Sequence, residues 1–83
     1  MAGLVRSDAY KSFLRSLIDL RKTNELSQAD LAVILGKPPS FVGKYELGER
    51  RLDIVEAIVI LERLKVDPFE FLKDQLNTIP KTL

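Results

Sequence analysis

Ser40 and Lys44 are the two side chains whose types and spacing most resemble a chemical site. Four residues apart, they lie one turn from each other on a helix, and a serine with a lysine can act as nucleophile and base. That chemistry needs a lysine whose pKa is lowered by burial, and no apolar pocket for Lys44 is evident. The sequence contains no His and no Cys, which removes the usual general base, zinc ligands and thiol nucleophile. We therefore expect no enzyme activity, no metal and no cofactor.

The segment that carries this pair, from Leu26 to Gly48, predicts two short helices joined by a tight turn. In the first helix Ser27 can accept a hydrogen bond from a first-turn amide, and Asp30 stands three residues on, as in a capping box. Gly36 follows the last apolar residue and can adopt the left-handed conformation that ends a helix. The buried face of this helix is marked by apolar residues at helical spacing, Leu31, Ala32 and Leu35.

A second helix can run from about Pro39 to Leu47, since proline is tolerated in a first helical turn and Gly48 can end the helix. Val42 and Tyr45 lie on one side of it, three residues apart, and should pack onto the first helix. The opposite side has no obvious apolar partner in the chain and is therefore available for a ligand. It carries Ser40, Gly43, Lys44 and Leu47.

The sequence resembles the lambda-repressor-like (Xre and Cro type) DNA-binding family in an ordered set of residues: Leu26-Ser27-Gln28-Ala29-Asp30-Leu31-Ala32, then Gly36, then Val42-Gly43-Lys44-Tyr45-Glu46-Leu47-Gly48. The resemblance extends roughly from Ser7 to Leu76. It implies an all-α fold, a compact five-helix domain whose helix-turn-helix covers about 27–47, with the second helix in the DNA major groove. It also implies a cytoplasmic, nucleoid-associated protein of a prokaryote or phage.

Length and charge agree with a small domain of this kind. The 83 residues suffice for one domain, and the sequence shows no signal peptide and no apolar run long enough for a membrane span. Net charge is only +1, but it is unevenly distributed. Residues 1–51 hold 9 Lys/Arg and 6 Asp/Glu, whereas residues 52–83 hold 4 and 6. The half with the helix-turn-helix is therefore the basic half, as a phosphate-facing surface requires.

Three further helices complete the predicted domain, which we place at 7–76, between a flexible arm at 1–6 and a tail at 77–83. Helix 1 should begin at Ser7 or Asp8 and end near Lys22, and we expect Asn24 to adopt left-handed backbone in the loop that follows. Helix 4, apolar almost all round, should start after a capping box of Asp53 and Glu56 and reach about Leu64. Helix 5 should start after Asp67, with Glu70 completing its capping box, and bury Phe69, Leu72 and Leu76.

The family resemblance assigns contacts with the DNA backbone and one structural pair. Gln28, at the start of helix 2, would bind a phosphate, and Lys37 in the turn can also reach one. An arginine near the end of helix 1, Arg21, would pair with Glu46 near the end of the recognition helix and fix the angle between the two helices. The N-terminus of helix 4 with Arg50 and Arg51 forms a further candidate phosphate site.

Base contacts are expected from the exposed side of the second helix. Lys44 can donate to guanine O6 and N7, or merely to phosphate, and Ser40 can bond several base edges. Pro39 and Phe41 could touch a thymine methyl, although Phe41 could equally cover the edge of the core. Gly43 offers no side chain and allows close backbone approach. We therefore expect phosphate contacts and DNA shape to carry an unusually large share of recognition.

One such helix covers few base pairs, so we expect a homodimer on an inverted repeat, acting as a transcriptional repressor. Candidate dimer contacts are Val66, Phe69, Phe71 and Ile79, with packing on helix 1 as the alternative for Phe71. Two other readings remain open. The same domain could be an antitoxin or adaptor whose main partner is a protein, or the controller protein of a restriction–modification system.

Overall fold

Five α-helices and a final 3-10 turn make up residues 8–82, the part of the chain that the computed structural model describes. The helices are α1 (Asp8–Thr23), α2 (Gln28–Leu35), α3 (Ser40–Glu46), α4 (Ile54–Arg63) and α5 (Pro68–Gln75), and the turn covers Leu76–Thr78. No strand occurs within these residues. The expected all-α, five-helix fold is therefore confirmed. The predicted arm at 1–6 and the Ser7 cap lie outside the described residues.

The core forms between α1, α2, α3 and α4, and Phe71 of α5 also packs into it. Its fully buried side chains come from four segments of the chain: Leu17, Leu31, Val42, Tyr45, Ile60, Leu61 and Leu64. All of them are large, and complete burial of a side chain of this size stabilises the fold by about 1.5–3 kcal/mol. In α3 the fully buried residues are Val42 and Tyr45, so one side of this helix packs into the core and the opposite side lies at the surface.

Capping explains where α4 and α5 begin. The Asp53 carboxylate accepts the Glu56 amide at 2.8 Å and the Glu56 carboxylate accepts the Asp53 amide at 3.0 Å, which is the predicted capping box. At α5 the Asp67 carboxylate accepts the Phe69 amide at 3.0 Å. The start of α5 is therefore capped by Asp67 through the Phe69 amide, and the capping box predicted between Asp67 and Glu70 is wrong.

The loop after α1 differs from its prediction in one residue. Glu25, rather than Asn24, adopts the left-handed backbone, with φ of 57°. The Asn24 side chain instead donates to the carbonyl of Leu20 at 2.8 Å and to that of Leu64 at 3.1 Å. The Asn24 side-chain amide thereby connects the end of α1 to the end of α4, and Glu25 adopts the left-handed backbone in its place.

The buried side of α5 was predicted wrongly. Phe71 is 8% exposed and meets Phe13 of α1 edge-on at 5.9 Å between ring centroids, whereas Phe69 and Leu76 are 72% and 67% exposed. Leu72 is half-buried, as expected. Because Phe71 packs on α1, it is removed from the candidate dimer contacts. Phe69 and Ile79 remain at the surface, and Val66 is half-buried against the core.

Helix α4 is less central than its composition suggested. Ala57, Ile60 and Leu61 are buried on one side, but Ile54, Val55 and Val59 are 59%, 65% and 42% exposed. No other helix among residues 8–82 covers that second apolar side.

Candidate DNA-binding surface

Short-range hydrogen bonds fix the start and end of α2. The Ser27 hydroxyl accepts the Asp30 amide at 3.0 Å, and the Asp30 carboxylate accepts the Ser27 amide at 3.1 Å. These bonds also lower the pKa of Asp30. Gly36 ends the helix in the left-handed conformation, with φ of 70°. The chain then turns through the two prolines and enters α3 at Ser40, so α2 and α3 form the predicted helix-turn-helix.

The two sides of α3 differ sharply in burial. Val42 and Tyr45 are fully buried in the core, as predicted. Ser40 and Lys44 are exposed on the opposite side, one turn apart, and Leu47 at the end of that side is 76% exposed. The exposed side of α3 therefore presents a hydroxyl and an ammonium group from a rigid, well-anchored helix.

Arg21 and Glu46 form a buried, bidentate ion pair. Arg21 Nε lies 2.7 Å from Glu46 Oε2, and Arg21 Nη2 donates to Glu46 Oε1 at 3.2 Å. The two side chains are only 10% and 5% exposed. Arg21 Nη1 also donates to the carbonyl of Leu26 at 2.9 Å. The pair thus joins α1, the loop before α2 and the end of α3, and its bonds to Glu46 raise the pKa of Arg21.

Gln28 makes a contact that the sequence analysis missed. Its Nε2 donates to Glu46 Oε1 at 2.8 Å, and its Oε1 lies 3.3 Å from the position that a Cβ on Gly43 would occupy. The two residues of this hydrogen bond are 18 positions apart and belong to different helices. A side chain that bonds across two helices leaves no periodic signal in the sequence, so only the fold could reveal it.

Phe41 belongs to the core, which corrects its assignment as a base-contacting residue. It is 8% exposed and packs edge-on against Tyr45, with 5.6 Å between the ring centroids. Lys37 Nζ lies 5.4 Å from its ring centroid and the Arg50 guanidinium carbon lies 4.9 Å from it. Of the two roles open to Phe41, covering the edge of the core is therefore the one that the structure supports.

Around Phe41 the surface forms a cleft of about 270 Å³ at the start of α3. Lys37, Lys44 and Arg50 bring three positive charges to this cleft, and Pro38 and Ser40 complete its rim. Pro39 is exposed beside it. A concave basic surface next to an exposed helix suits the phosphate backbone of a duplex.

The predicted phosphate site at the start of α4 is already filled by the protein itself. Arg50 donates twice to the Glu56 carboxylate, at 3.0 and 2.8 Å, and the helix N-terminus is capped by Asp53 and Glu56. Bonding to Arg50 lowers the pKa of Glu56. The Arg51 guanidinium instead stacks 4.8 Å from the Tyr10 ring centroid. The two arginines therefore do not converge on one anion site.

A helix-turn-helix DNA-binding protein is the class that this fold and surface define. The helix-turn-helix family profile matches residues 17–71. A solved structure of an XRE-family like protein from Pseudomonas syringae pv. tomato str. DC3000 is similar, with a TM-score of 0.80 and 35% identity over 87% of this chain and 88% of that one. No curated protein matches the chain. The chain belongs to the lambda-repressor-like (Xre/Cro-type) helix-turn-helix family of DNA-binding regulators.

No group of three or more His, Cys, Asp or Glu side chains within residues 8–82 could hold a metal ion. No helix in the same range is long and apolar enough to cross a bilayer.

Proposed function

We propose that the protein is a transcriptional repressor that binds an inverted-repeat operator as a homodimer, with α3 in the major groove. The observation that carries this proposal is the exposed side of α3. Ser40 and Lys44 point away from a core that fully buries Val42 and Tyr45, so the helix can enter a groove without losing its own packing.

Lys44 is the best candidate for base recognition. It stands in the middle of the exposed side and, as a compact cation, can donate to guanine O6 and N7 in the major groove. Ser40 lies one turn earlier and can bond several bases, so it contributes less discrimination. Pro39 and Gly43 offer only apolar or backbone contacts, so much of the recognition rests on phosphate contacts and DNA shape.

The phosphate contacts fall on both sides of α3. Gln28 stands at the first position of α2, and Lys37 and Arg50 line the basic cleft on the other side. Arg51 adds an exposed guanidinium farther along. Contacts on two sides of the recognition helix set its depth and angle in the groove without reading sequence.

A homodimer places two copies of α3 about 34 Å apart on one face of the duplex, which is the spacing of successive major grooves. Phe69 and Ile79, both exposed apolar residues, support a contact through α5 and the segment that follows it. Val66, half-buried in the turn between α4 and α5, precedes Phe69 by three residues. Binding of a dimer over a promoter would repress by occlusion.

Selection of bound fragments from a random or genomic DNA library tests this function. The wild-type protein should recover an inverted repeat, and Lys44→Ala should lose or degrade one position in each half-site. Lys73→Ala removes an exposed lysine from α5 and is the matched control. It should recover the wild-type site. If no site is enriched and weak binding vanishes with modest salt for all three proteins, the specific-regulator function is excluded.

An antitoxin or adaptor role is the second candidate, and the exposed apolar residues of α2 and α4 favour it. Val33 is 79% exposed, and Val55 and Val59 border an apolar groove of about 160 Å³ between α2, α3 and α4. A toxin-like reading frame beside the gene would support this role, whereas a neighbouring methyltransferase or endonuclease gene would point to a restriction–modification controller.

A further inference from the structure

Gln28 lies across α3 at the one position of its exposed side that has no side chain. The Gln28 carbonyl oxygen is 3.3 Å from where a Cβ on Gly43 would stand, and the amide carbon is 3.8 Å from the same point. Glycine in a helix costs about 1 kcal/mol relative to alanine. Gly43 has ordinary helical backbone and needs no left-handed conformation, so turn geometry does not explain it. A side chain at this position would crowd the Gln28 amide.

The other end of the Gln28 amide is held by Glu46. Glu46 Oε1 accepts both Gln28 Nε2, at 2.8 Å, and Arg21 Nη2, at 3.2 Å. Arg21 Nε fixes the second oxygen at 2.7 Å, so the carboxylate has one orientation. Since Glu46 is ionised in this pair it accepts only, and the end of the Gln28 amide next to it must be the NH₂ group. The amide is therefore fixed in direction as well as in place.

We propose that Glu46 and Gly43 position Gln28 for DNA. Glu46 takes one of the two amide N–H groups of Gln28 and leaves the other for a phosphate oxygen beside the N-terminus of α2. Gly43 keeps the surface of α3 open so that the side chain can lie flat on it. This inference rests on the proposed DNA-binding function and assigns to Glu46 a role in binding beyond its ion pair with Arg21.

Positioning of this kind improves affinity because the ordering has taken place before DNA arrives. A glutamine on a helix surface otherwise samples many rotamers, and immobilising such a side chain on binding weakens affinity by about two- to tenfold. In the free protein Gln28 is exposed, yet both ends of its amide have neighbours on α3. DNA would then meet an amide that is already in the binding conformation.

Gly43→Ala is the variant that separates positioning from stability. The added methyl group would stand 3.3 Å from the Gln28 oxygen, a tighter contact than usual, so the amide must shift by a few tenths of an ångström against its bond to Glu46. Alanine is also the better helix former, so the melting temperature should stay or rise. Affinity for the duplex recovered by the selection should nevertheless fall, at most by the roughly two- to tenfold that full ordering of one side chain is worth. Stability and affinity thus move in opposite directions.

A double-mutant cycle with Gln28→Ala removes the other explanation of that loss, a clash between the new methyl group and DNA. If Gly43 acts through Gln28, Gly43→Ala should change affinity little in the Gln28→Ala background. If the loss is the same in both backgrounds, the methyl group itself meets DNA and the inference is wrong. An unchanged affinity of Gln28→Ala would also overturn it. In both cases wild-type binding persists, so the proposed function stands.

The Gln28 side-chain amide gives a readout that needs no DNA. In the ¹H–¹⁵N spectrum of the free wild-type protein, the proton donated to Glu46 should be shifted from its free-amide position, and Gly43→Ala should reduce that shift. The side-chain amide of Gln75, on α5, is the internal control and should not move. A wild-type Gln28 amide with the shifts of a mobile side chain would overturn the positioning even if DNA binding is strong.

Discussion

Arg50 Nη2 lies 2.8 Å from Glu56 Oε2, so a guanidinium group at the edge of the basic cleft is neutralised by a carboxylate of the same protein. A second bond, from Arg50 Nη1 to Glu56 Oε1 at 3.0 Å, makes the pair bidentate. The Arg50 and Glu56 side chains are 40% and 23% exposed, and a phosphate can therefore compete for the arginine. In the proposed DNA complex, Glu56 would limit how much of the positive charge of Arg50 reaches a phosphate.

Glu56→Gln should strengthen binding to duplex DNA and make it more salt-dependent. Loss of the carboxylate frees Arg50 for a phosphate, and one more phosphate contact steepens the plot of log K against log salt concentration by about one unit. Glutamine can still accept the Asp53 amide, so the cap of α4 is retained. The measurement is fluorescence anisotropy with a labelled duplex at several salt concentrations.

Asp53→Asn is the matched control for this prediction. It removes one negative charge from the same helix N-terminus, but the Asp53 side chain is not the hydrogen-bonded partner of Arg50, and asparagine caps helices as well as aspartate does. Equal gains in affinity and salt dependence for Glu56→Gln and Asp53→Asn would show that net charge, and not release of Arg50, is responsible.

Arg21→Ala should lower the free energy of unfolding by about 3–5 kcal/mol, because it leaves the buried Glu46 carboxylate without its cation. Arg15, on the same helix, is exposed and provides the control. Arg15→Ala should change the free energy by less than about 0.5 kcal/mol. Urea unfolding followed by circular dichroism measures both values. A loss below about 1 kcal/mol for Arg21→Ala would mean that solvent replaces the arginine at little cost.

The parts of the fold that follow from short-range chemistry could be predicted from the sequence. Ser27 with Asp30 and Asp53 with Glu56 form two of the three expected capping boxes, because a cap depends on residues within one turn, whereas at α5 the Asp67 carboxylate accepts the Phe69 amide instead. Gly36 ends α2 in the left-handed conformation for an equally local reason. The family resemblance supplied what local chemistry could not, the pairing of two charges 25 residues apart.

The buried side of α5, the place of Phe41 and the contact of Gln28 could not be predicted, because each depends on a distant partner. On α5 the series 69, 72 and 76 and the series 68, 71, 72 and 75 both have helical spacing, and only contact with Phe13 selects the second. Phe41 lies on the boundary between the core and the candidate DNA-binding surface, where periodicity does not decide between burial and exposure. The contact of Gln28 with Glu46 required the two helices to be in place before it could be seen.

Tyr45→Phe should leave the protein at least as stable as the wild type and is expected to gain about 1 kcal/mol. The Tyr45 hydroxyl is buried and has no hydrogen-bond partner among the described residues, so removing it relieves an unsatisfied polar group. Tyr10→Phe is the control, and its change in stability should have the opposite sign. The Tyr10 hydroxyl accepts the Leu52 amide at 3.1 Å, and its loss should cost about 1 kcal/mol. Thermal unfolding of the two variants provides the comparison, and a destabilised Tyr45→Phe would contradict it.

Tyr45 also predicts a loss of stability in alkali. Burial, and then the nearby Glu46 charge, raise the pKa of its hydroxyl well above the usual value of about 10. The unfolded chain releases this proton near pH 10 while the folded protein keeps it, so stability is complete below pH 10 and falls as the pH rises beyond it. Unfolding free energies of wild type and Tyr45→Phe should therefore diverge further above pH 10. Parallel curves would mean that the hydroxyl ionises equally in both states.

Phe71 and Phe69 are chemically identical neighbours in opposite surroundings, which makes them a matched pair. Phe71→Ala should lower the free energy of unfolding by about 3–5 kcal/mol, since it empties a packed site against Phe13. Phe69→Ala, at a position 72% exposed, should change the stability of dilute protein by less than about 0.5 kcal/mol.

In the proposed dimer, however, Phe69 supplies part of the contact, so its loss should raise the dimer dissociation constant. Urea unfolding at low concentration and sedimentation across a concentration series separate the two effects. If Phe69→Ala leaves self-association unchanged, the contact through α5 is wrong, and the exposed side of α4 becomes the next surface to test.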